Sequence, residues 1–258
     1  IVMEKLTLIK VGGKIVEEPD TLLNLLSDFS MVPGHKVLVH GGGRSATRLA
    51  ARLGIESKMI NGRRVTDAEM LEVVTMVYGG LVNKNIVAGL QALGVNALGL
   101  TGADMNVLLS DKRPAGSVDY GFVGDIKRAD GSVLAKLIGE GIVPVMAPLT
   151  HDGKGHMLNT NADTIAGETA CSLASFFDVT LVYCFEKPGG LLQEDDDNSV
   201  IHEIDYCGFL DYVKNGIIQG GMIPKLENAF GAIRAGVREV LITRADCLCY
   251  PEKGTKIV

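Results

Sequence analysis

The chain has 258 residues, of which 47% are hydrophobic and 22% charged, with a formal net charge of −6. That balance lies in the globular range and, with no Lys/Arg-rich run, excludes intrinsic disorder and a nucleic-acid partner. The five cysteines, an odd number in a long chain, exclude a secreted disulfide framework, and Cys247-x-Cys249 lacks the second Cys/His pair of a zinc site.

No unbroken apolar run approaches the roughly 18 to 20 residues that span a bilayer, and Glu4, Lys5 and Lys10 interrupt any signal core. A cytoplasmic protein with ordinary thiols and no membrane partner is therefore expected. The length suits one large α/β domain or two lobes.

In chain order, the apolar, β-branched stretch 6–11 predicts a buried strand ending in Ile9-Lys10-Val11-Gly12-Gly13-Lys14. A lysine at a strand end beside paired glycines reads either as a phosphate nest with Lys10 as its point charge, or as a β-turn with a surface lysine. A second strand over 36–40 breaks into His40-Gly41-Gly42-Gly43-Arg44 ahead of a helix carrying Ala46, Leu49 and Ala50. Three glycines before a helix favour close backbone approach to a phosphate or carboxylate. Gly41-x-Gly43-x-x-Ala46 also satisfies a loose dinucleotide fingerprint, although Glu56, where its ribose-binding acid should fall, follows no clear strand. No Walker-A pattern occurs. Asn61-Gly62-Arg63-Arg64-Val65-Thr66-Asp67 pairs a helix cap with a guanidinium suited to bidentate carboxylate recognition, the alternative being solvated arginines.

A helix over 67–93 and a strand over 97–100 follow. The glycine- and charge-rich stretch 111–132, with Tyr120-Gly121-Phe122-Val123-Gly124, predicts a β-hairpin insertion of the kind that forms a lid. A strand over 142–147 marks the crossover between lobes. Asn159-Thr160-Asn161-Ala162-Asp163 opens a helix over 161–176 with more polar side chains than one cap needs. Asp163 could orient lysines or assist a metal, and Asn159 could hold a carboxylate. After a strand over 179–184 the acidic run 194–197 reads as a solvated turn. Gly220-Gly221-Met222-Ile223-Pro224-Lys225 then opens a helix over 225–235, where a cation at the positive dipole end calls for an anion such as a nucleotide phosphate, unless the lysine is simply solvated. A strand over 239–243 closes the pattern. Alternating β and α predicts a mainly parallel sheet with helices on both faces and ligands beyond its carboxyl ends.

Taken in order, Lys10-x-Gly12-Gly13, His40-Gly41-Gly42-Gly43, Gly62-Arg63-Arg64-Val65-Thr66, Asn159-x-Asn161-Ala162-Asp163 and Gly221-Met222-Ile223-x-Lys225 resemble the amino acid kinase family, nearest its acylglutamate kinases. The resemblance runs through Gly254-Thr255-Lys256-Ile257. It implies a three-layer αβα sandwich around an open, mainly parallel sheet. A single domain would hold an acylglutamate-binding lobe over about 1–145 and an ATP-binding lobe over about 146–258. The implied reaction is ATP-dependent phosphorylation of the side-chain carboxylate of an N-acyl-L-glutamate, early in arginine biosynthesis, with Mg²⁺ carried by ATP. Lys10 and Lys225 look like the lysines that stabilise the transferring phosphoryl group, with Asp163 their organiser. Lys10, Gly12, Gly13, Asn161 and Lys225 are implied to bind ATP. Gly42, Gly43, Arg64 and Asn159 are implied to bind the acylglutamate, the last two gripping its α-carboxylate.

Phe185-Glu186-Lys187-Pro188-Gly189-Gly190 departs from the Ser-Asp-x-x-Gly-like turn usual in the family, on the nucleoside side. Residues 117–124 leave room for an acyl group larger than acetyl, such as succinyl. A related aspartate, glutamate or carbamate kinase, a nicotinamide-dependent oxidoreductase and a catalytically silent sensor are the competing readings. Retention of both lysines with Asp163 counts against the sensor. Arginine-inhibited relatives form hexamers through an N-terminal helix, so with five residues ahead of the first strand a homodimer insensitive to arginine is expected, with the apolar helix of residues 70–93 as its surface.

Overall fold

The computed structural model describes residues 3–60, 62–193, 195–220, 222–248 and 250–258, without the side chains of Pro224 and Pro251. Expectations that fell on Ile1, Val2, Asn61, Glu194, Gly221 and Cys249 lie outside the described residues.

Strand β1 (Lys5–Val11) is apolar on both faces because it is covered on both: Leu6 and Leu8 enter one core cluster, Ile9 and Val11 the other. The chain turns into α1 (Gly13–Glu17) and α2 (Pro19–Met31), whose first-turn proline has no amide to lose there, and returns as β2 (His35–His40). Next come α3 (Gly43–Arg52) and the small hairpin of β3 (Met59–Ile60) and β4 (Arg63–Arg64). Asp67 caps α4 (Ala68–Val74) by accepting from the Met70 amide, and the helix continues through a π-helical stretch (Thr75–Val82) into α5 (Asn83–Ala92). Then follow β5 (Ala97–Leu100), β6 (Leu108–Lys112), β7 (Gly124–Ala129), α6 (Gly131–Gly139) and β8 (Val143–Met146). The remainder runs through β9 (Leu149–His151), β10 (Met157–Asn159), α7 (Ala162–Leu173), β11 (Asp178–Phe185), β12 (Glu203–Ile204), α8 (Tyr206–Lys214), α9 (Met222–Arg234), β13 (Glu239–Arg244) and β14 (Thr255–Ile257).

The main sheet has the order β12-β14-β13-β11-β1-β2-β8-β5, parallel from β13 to β5, with β14 antiparallel to β13. One core cluster packs α6, α7 and α9 on one face; the other packs α2, α3 and the long α4–α5 helix on the opposite face. This is the expected three-layer αβα architecture. After β1 the chain builds one half of the sheet outward through β2, then starts the other half at β11. The carboxyl ends of β1 and β11 therefore flank the place where strand order reverses, and a ligand crevice opens there.

The expected insertion is a hairpin of β6 and β7, which joins β9 and β10 in a separate four-stranded sheet, order β10-β9-β6-β7. Thus β9 and β10, although beyond residue 146, pair in space with the preceding half. The continuous helix Ala68–Ala92, 25 residues, is long and apolar enough by composition to cross a membrane, which the lack of an unbroken apolar run conceals. Met70, Val73, Val77, Ile86 and Leu90 lie in the core, so packing onto the sheet accounts for this apolar face. The acidic turn is less solvated than expected, since Asp197 pairs with Arg244 at 3.0 Å and Lys187 at 3.6 Å.

Candidate active site

Beyond the ends of β1 and β2 two glycine loops lie back to back. A Cβ on Gly41 would stand 3.1 Å from the Gly13 nitrogen, and one on Gly13 would stand 3.4 Å from the nitrogens of both Gly42 and Gly43. The loops approach this closely because neither carries side chains at the contact. The Gly41 amide donates to the Val11 carbonyl at 3.1 Å, joining the loops to the sheet. Glu17, at the end of α1, accepts from the Ser45 amide at 2.5 Å and anchors the first turn of α3.

Along β1, Lys10 follows the alternation of Leu6 and Leu8 toward the α7 face and is only 7% exposed. Its Nζ lies 2.7 Å from Asp163 Oδ1 in the first turn of α7. The Phe185 ring, at the end of β11, packs beneath two ammonium groups, with the Lys10 Nζ 5.2 Å and the Lys225 Nζ 3.6 Å from its centroid. The Tyr183 ring stacks parallel to that of Phe185 with centroids 5.9 Å apart. Burial pulls the Lys225 pKa down; the Asp163 carboxylate opposes this, and the Lys10 charge adds to it. Lys10, Lys225 and Asp163 thus converge on a partly buried spot, with Glu186 adding a further attraction on Lys225.

Two cavities meet here. The larger, about 620 Å³, is lined by Lys10, Gly12, Gly13, Phe185 and Lys225. The smaller, about 240 Å³, is lined by Gly42, Arg63, Arg113, Asn159 and Asn161. Gly43 and Arg64 belong to both walls. The Arg64 guanidinium is 8% exposed for the whole residue and donates to the Gly43 carbonyl at 2.8 Å, the Thr47 hydroxyl at 2.9 Å and the Ser57 hydroxyl. Asn159 donates from Nδ2 to the Thr66 hydroxyl at 2.9 Å, and its amide donates to the Phe122 carbonyl at 2.9 Å. The 120–124 loop thereby closes on this wall. Gly121 permits the closure, with φ at +72° and a Cβ position only 2.2 Å from the Thr66 carbonyl oxygen. Arg113 Nε sits 3.1 Å from both Asp125 oxygens; this hydrogen bonding holds the Asp125 carboxyl below its usual range and raises Arg113.

The structure lines the larger cavity with Lys10, Gly12, Gly13 and Lys225 and the smaller with Gly42 and Asn159, with Gly43 and Arg64 on both. Asp163 stands beside Lys10. Asn161 lines the smaller cavity, and its Oδ1 accepts from the amides of Asp163 and Thr164 at 2.8 and 3.1 Å, a helix cap. Arg113 and Asp125 went unnoticed in the sequence because their pairing needs the β6–β7 register. Tyr78 and Asn83 lie in the helix expected to form a dimer surface, yet both are buried against the glycine loop; a polar Asn83 amid apolar residues was the available signal. Among the described residues no group of three or more His, Cys, Asp or Glu could hold a metal ion.

A doubly covered parallel sheet, glycine loops at its switch point and paired lysines above them describe a phosphotransferase of the amino acid kinase type. The chain belongs to the amino acid kinase family, which matches residues 5–244. Its relatives narrow the class. An acetylglutamate kinase of Parabacteroides distasonis is 71% identical, covering 99% of this chain and 100% of its own length. One of Bacteroides thetaiotaomicron is 72% identical over 98% of both. Among solved structures, the crystal structure of smu.665 from Streptococcus mutans UA159 superposes with a TM-score of 0.79 at 30% identity, covering 98% of each chain.

Proposed function

We propose that the protein catalyses ATP-dependent phosphorylation of the side-chain carboxylate of N-acetyl-L-glutamate, an early step of arginine biosynthesis. The observation that carries this reading is the Lys10–Asp163–Lys225 cluster, whose lysines wall the larger cavity with glycine residues, next to a cavity walled by guanidinium and amide groups. In the reaction a carboxylate oxygen of the substrate forms a bond to the γ-phosphorus while the bond from that phosphorus to the β,γ-bridging oxygen breaks. The products are an acyl phosphate and ADP. Such transfer asks the protein for in-line positioning and charge stabilisation, and no nucleophilic side chain is needed.

In this scheme Lys10 and Lys225 face the phosphoryl oxygens from two sides, and Asp163 holds Lys10 in place. Amides of Gly12, Gly13 and Gly43 hold phosphate, while Gly42 and Gly43 receive the reacting carboxylate. Arg64 and Asn159 grip the α-carboxylate, and Asn161 orders the helix start that carries Asp163 beside the nucleotide. Mg²⁺ travels on the nucleotide phosphates, since the carboxylate nearest the transfer point, Asp163, is committed to Lys10; the ion supplies charge neutralisation there. The half of the domain over about 1–145 takes the acylglutamate, with Asn159 reaching back to it, and the half over about 146–258 takes ATP.

Arg63 on the smaller cavity's wall, where Arg113 is already paired with Asp125, favours one extension of this reading, an acyl group bearing its own carboxylate, such as succinyl. We also propose a cytoplasmic homodimer through the long helix, on which the large apolar side chains of Met76 and Leu81 stand exposed. A coupled assay for ADP against glutamate, aspartate, carbamate, N-acetylglutamate and N-succinylglutamate tests the function. Turnover with an acylated glutamate supports it; turnover confined to unacylated substrates or carbamate overturns it.

A further inference from the structure

His40 ends β2 and turns away from both cavities. Alternation along β2 sends it to the same face as Leu38, into the core beside the α4–α5 helix, where it is completely buried. Its Nδ1 lies 2.7 Å from the Gly41 carbonyl oxygen and its Nε2 lies 3.1 Å from Asn83 Nδ2. A carbonyl on one nitrogen and an amide donor on the other admit one tautomer: Nδ1–H donates to Gly41 and Nε2 accepts from Asn83. Asn83 is also buried and donates from the same Nδ2 to the Val145 carbonyl at 2.9 Å, while its Oδ1 accepts from Lys84 Nζ at 3.1 Å. Burial pulls the His40 pKa down to about 4, so the ring stays neutral and keeps this tautomer at working pH.

Asn83 follows directly on the π-helical stretch, and two residues of that stretch press on the next glycine. A Cβ on Gly42 would lie 2.9 Å from Tyr78 Cδ1 and 3.4 Å from Val82 Cγ2. The long helix therefore meets the loop at His40, through Asn83, and at Gly42, through Tyr78 and Val82 of the widened turn. Wide turns of this kind weaken a helix and are found mostly where function requires the side chains they re-aim. A leucine at either position would fill the same core without the desolvation cost of two polar side chains. Geometry supplies what the polar pair achieves. The Gly41 C=O and the Gly42 N–H belong to one planar trans peptide and point in opposite directions. A hydrogen bond that draws the oxygen into the core turns the N–H outward, toward the smaller cavity that Gly42 lines.

We propose that His40 and Asn83 are positioning residues for phosphoryl transfer: together they fix the Gly41–Gly42 peptide plane and so aim the Gly42 amide at the reacting carboxylate. The proposal rests on the role given above to Gly42. Steady-state kinetics on the full chain separate two variants. His40→Gln keeps an acceptor near Nε2 for Asn83 but no donor near Nδ1; His40→Asn keeps a donor near Nδ1 but nothing to meet Asn83. Misaiming one preorganised donor lowers kcat by about 10- to 100-fold in His40→Gln, with the KM for ATP unchanged, and His40→Asn recovers most of that loss at equal melting temperature.

Equal losses in both variants that track melting temperature, or no loss in His40→Gln, overturn the proposal. If neither variant folds, Asn83→Ser decides: it leaves the ring unsupported, so kcat falls with the KM for ATP unchanged, and an unchanged kcat overturns the proposal. Lys10→Ala, measured alongside, distinguishes the two levels. Normal turnover in that variant removes the site reading itself, whereas a collapse there with normal His40→Gln removes only the positioning role.

Discussion

The two cavities share Gly43 and Arg64 but differ in the cations each adds to that common wall. The larger presents ammonium groups, Lys10 and Lys225, seated on an aromatic ring. The smaller presents guanidinium groups, Arg63, Arg64 and Arg113, beside the carboxamide of Asn159. An ammonium is a compact charge that can follow a phosphoryl group as it moves, whereas a guanidinium is a rigid fork matched to a stationary carboxylate. Under the proposed reaction the difference assigns the two sides different tasks, with the lysine side following the transferred phosphoryl group and the arginine side holding a carboxylate still.

The sharpest way to break the comparison is to remove the ammonium groups one at a time. Lys10→Ala and Lys225→Ala are each expected to lower kcat by about 10²- to 10³-fold, with the fold intact by circular dichroism and the KM for N-acetylglutamate little changed. Near-normal turnover in both would end the assigned division. On the other side, Arg64→Lys is expected to raise the KM for the acylglutamate by about tenfold and leave kcat less affected, because lysine cannot reproduce a fork. An effect confined to the KM for ATP would transfer Arg64 to the larger cavity.

Acidity sharpens the contrast further. The depressed Lys225 loses its proton at lower pH than an ordinary lysine, so kcat falls on the alkaline side earlier than a solvated lysine would allow. Asp163 raises that pKa, hence Asp163→Asn is expected to move the alkaline limb further down. A pH profile of kcat that is flat to pH 10 in both proteins would contradict this. The smallest effect concerns stability. Burial lowers the His40 pKa from 6.5 to about 4, so between those values the unfolded chain binds a proton that the native chain refuses. Stability therefore rises with pH through that window and is lost as pH falls through it, by up to about 3 kcal/mol. Urea unfolding at pH 7 and pH 5 measures the difference, which is expected to shrink in His40→Asn.

Much of this fold was legible because its cause is local. The period-two and apolar runs at residues 6–11, 179–184 and 239–243 became the central strands, and the Asp67 cap opened the long helix where a capping side chain demanded it. The hairpin insertion was legible from its glycines. The π-helical stretch was not, since its sequence, Thr75-Met76-Val77-Tyr78-Gly79-Gly80-Leu81-Val82, suits any buried helix and only contact with the glycine loop distinguishes it. Asn161 divided the same way: its type was informative, while its commitment to capping depended on where α7 began.

By itself the sequence determined the layer architecture, the glycine loops at strand ends and the residue types available for charge, because hydrophobic period, backbone permissiveness and side-chain ionisation are properties of short segments. Only the tertiary structure decided which of those residues meet. Lys10, Asp163 and Lys225 come from three elements far apart in the chain, and they converge because β1 and β11 are neighbours at the point where strand order reverses. The tautomer of His40, the pairing of Arg113 with Asp125 and the depression of the Lys225 pKa follow from that convergence, since hydrogen-bond partners and burial are set by distances no segment can encode alone.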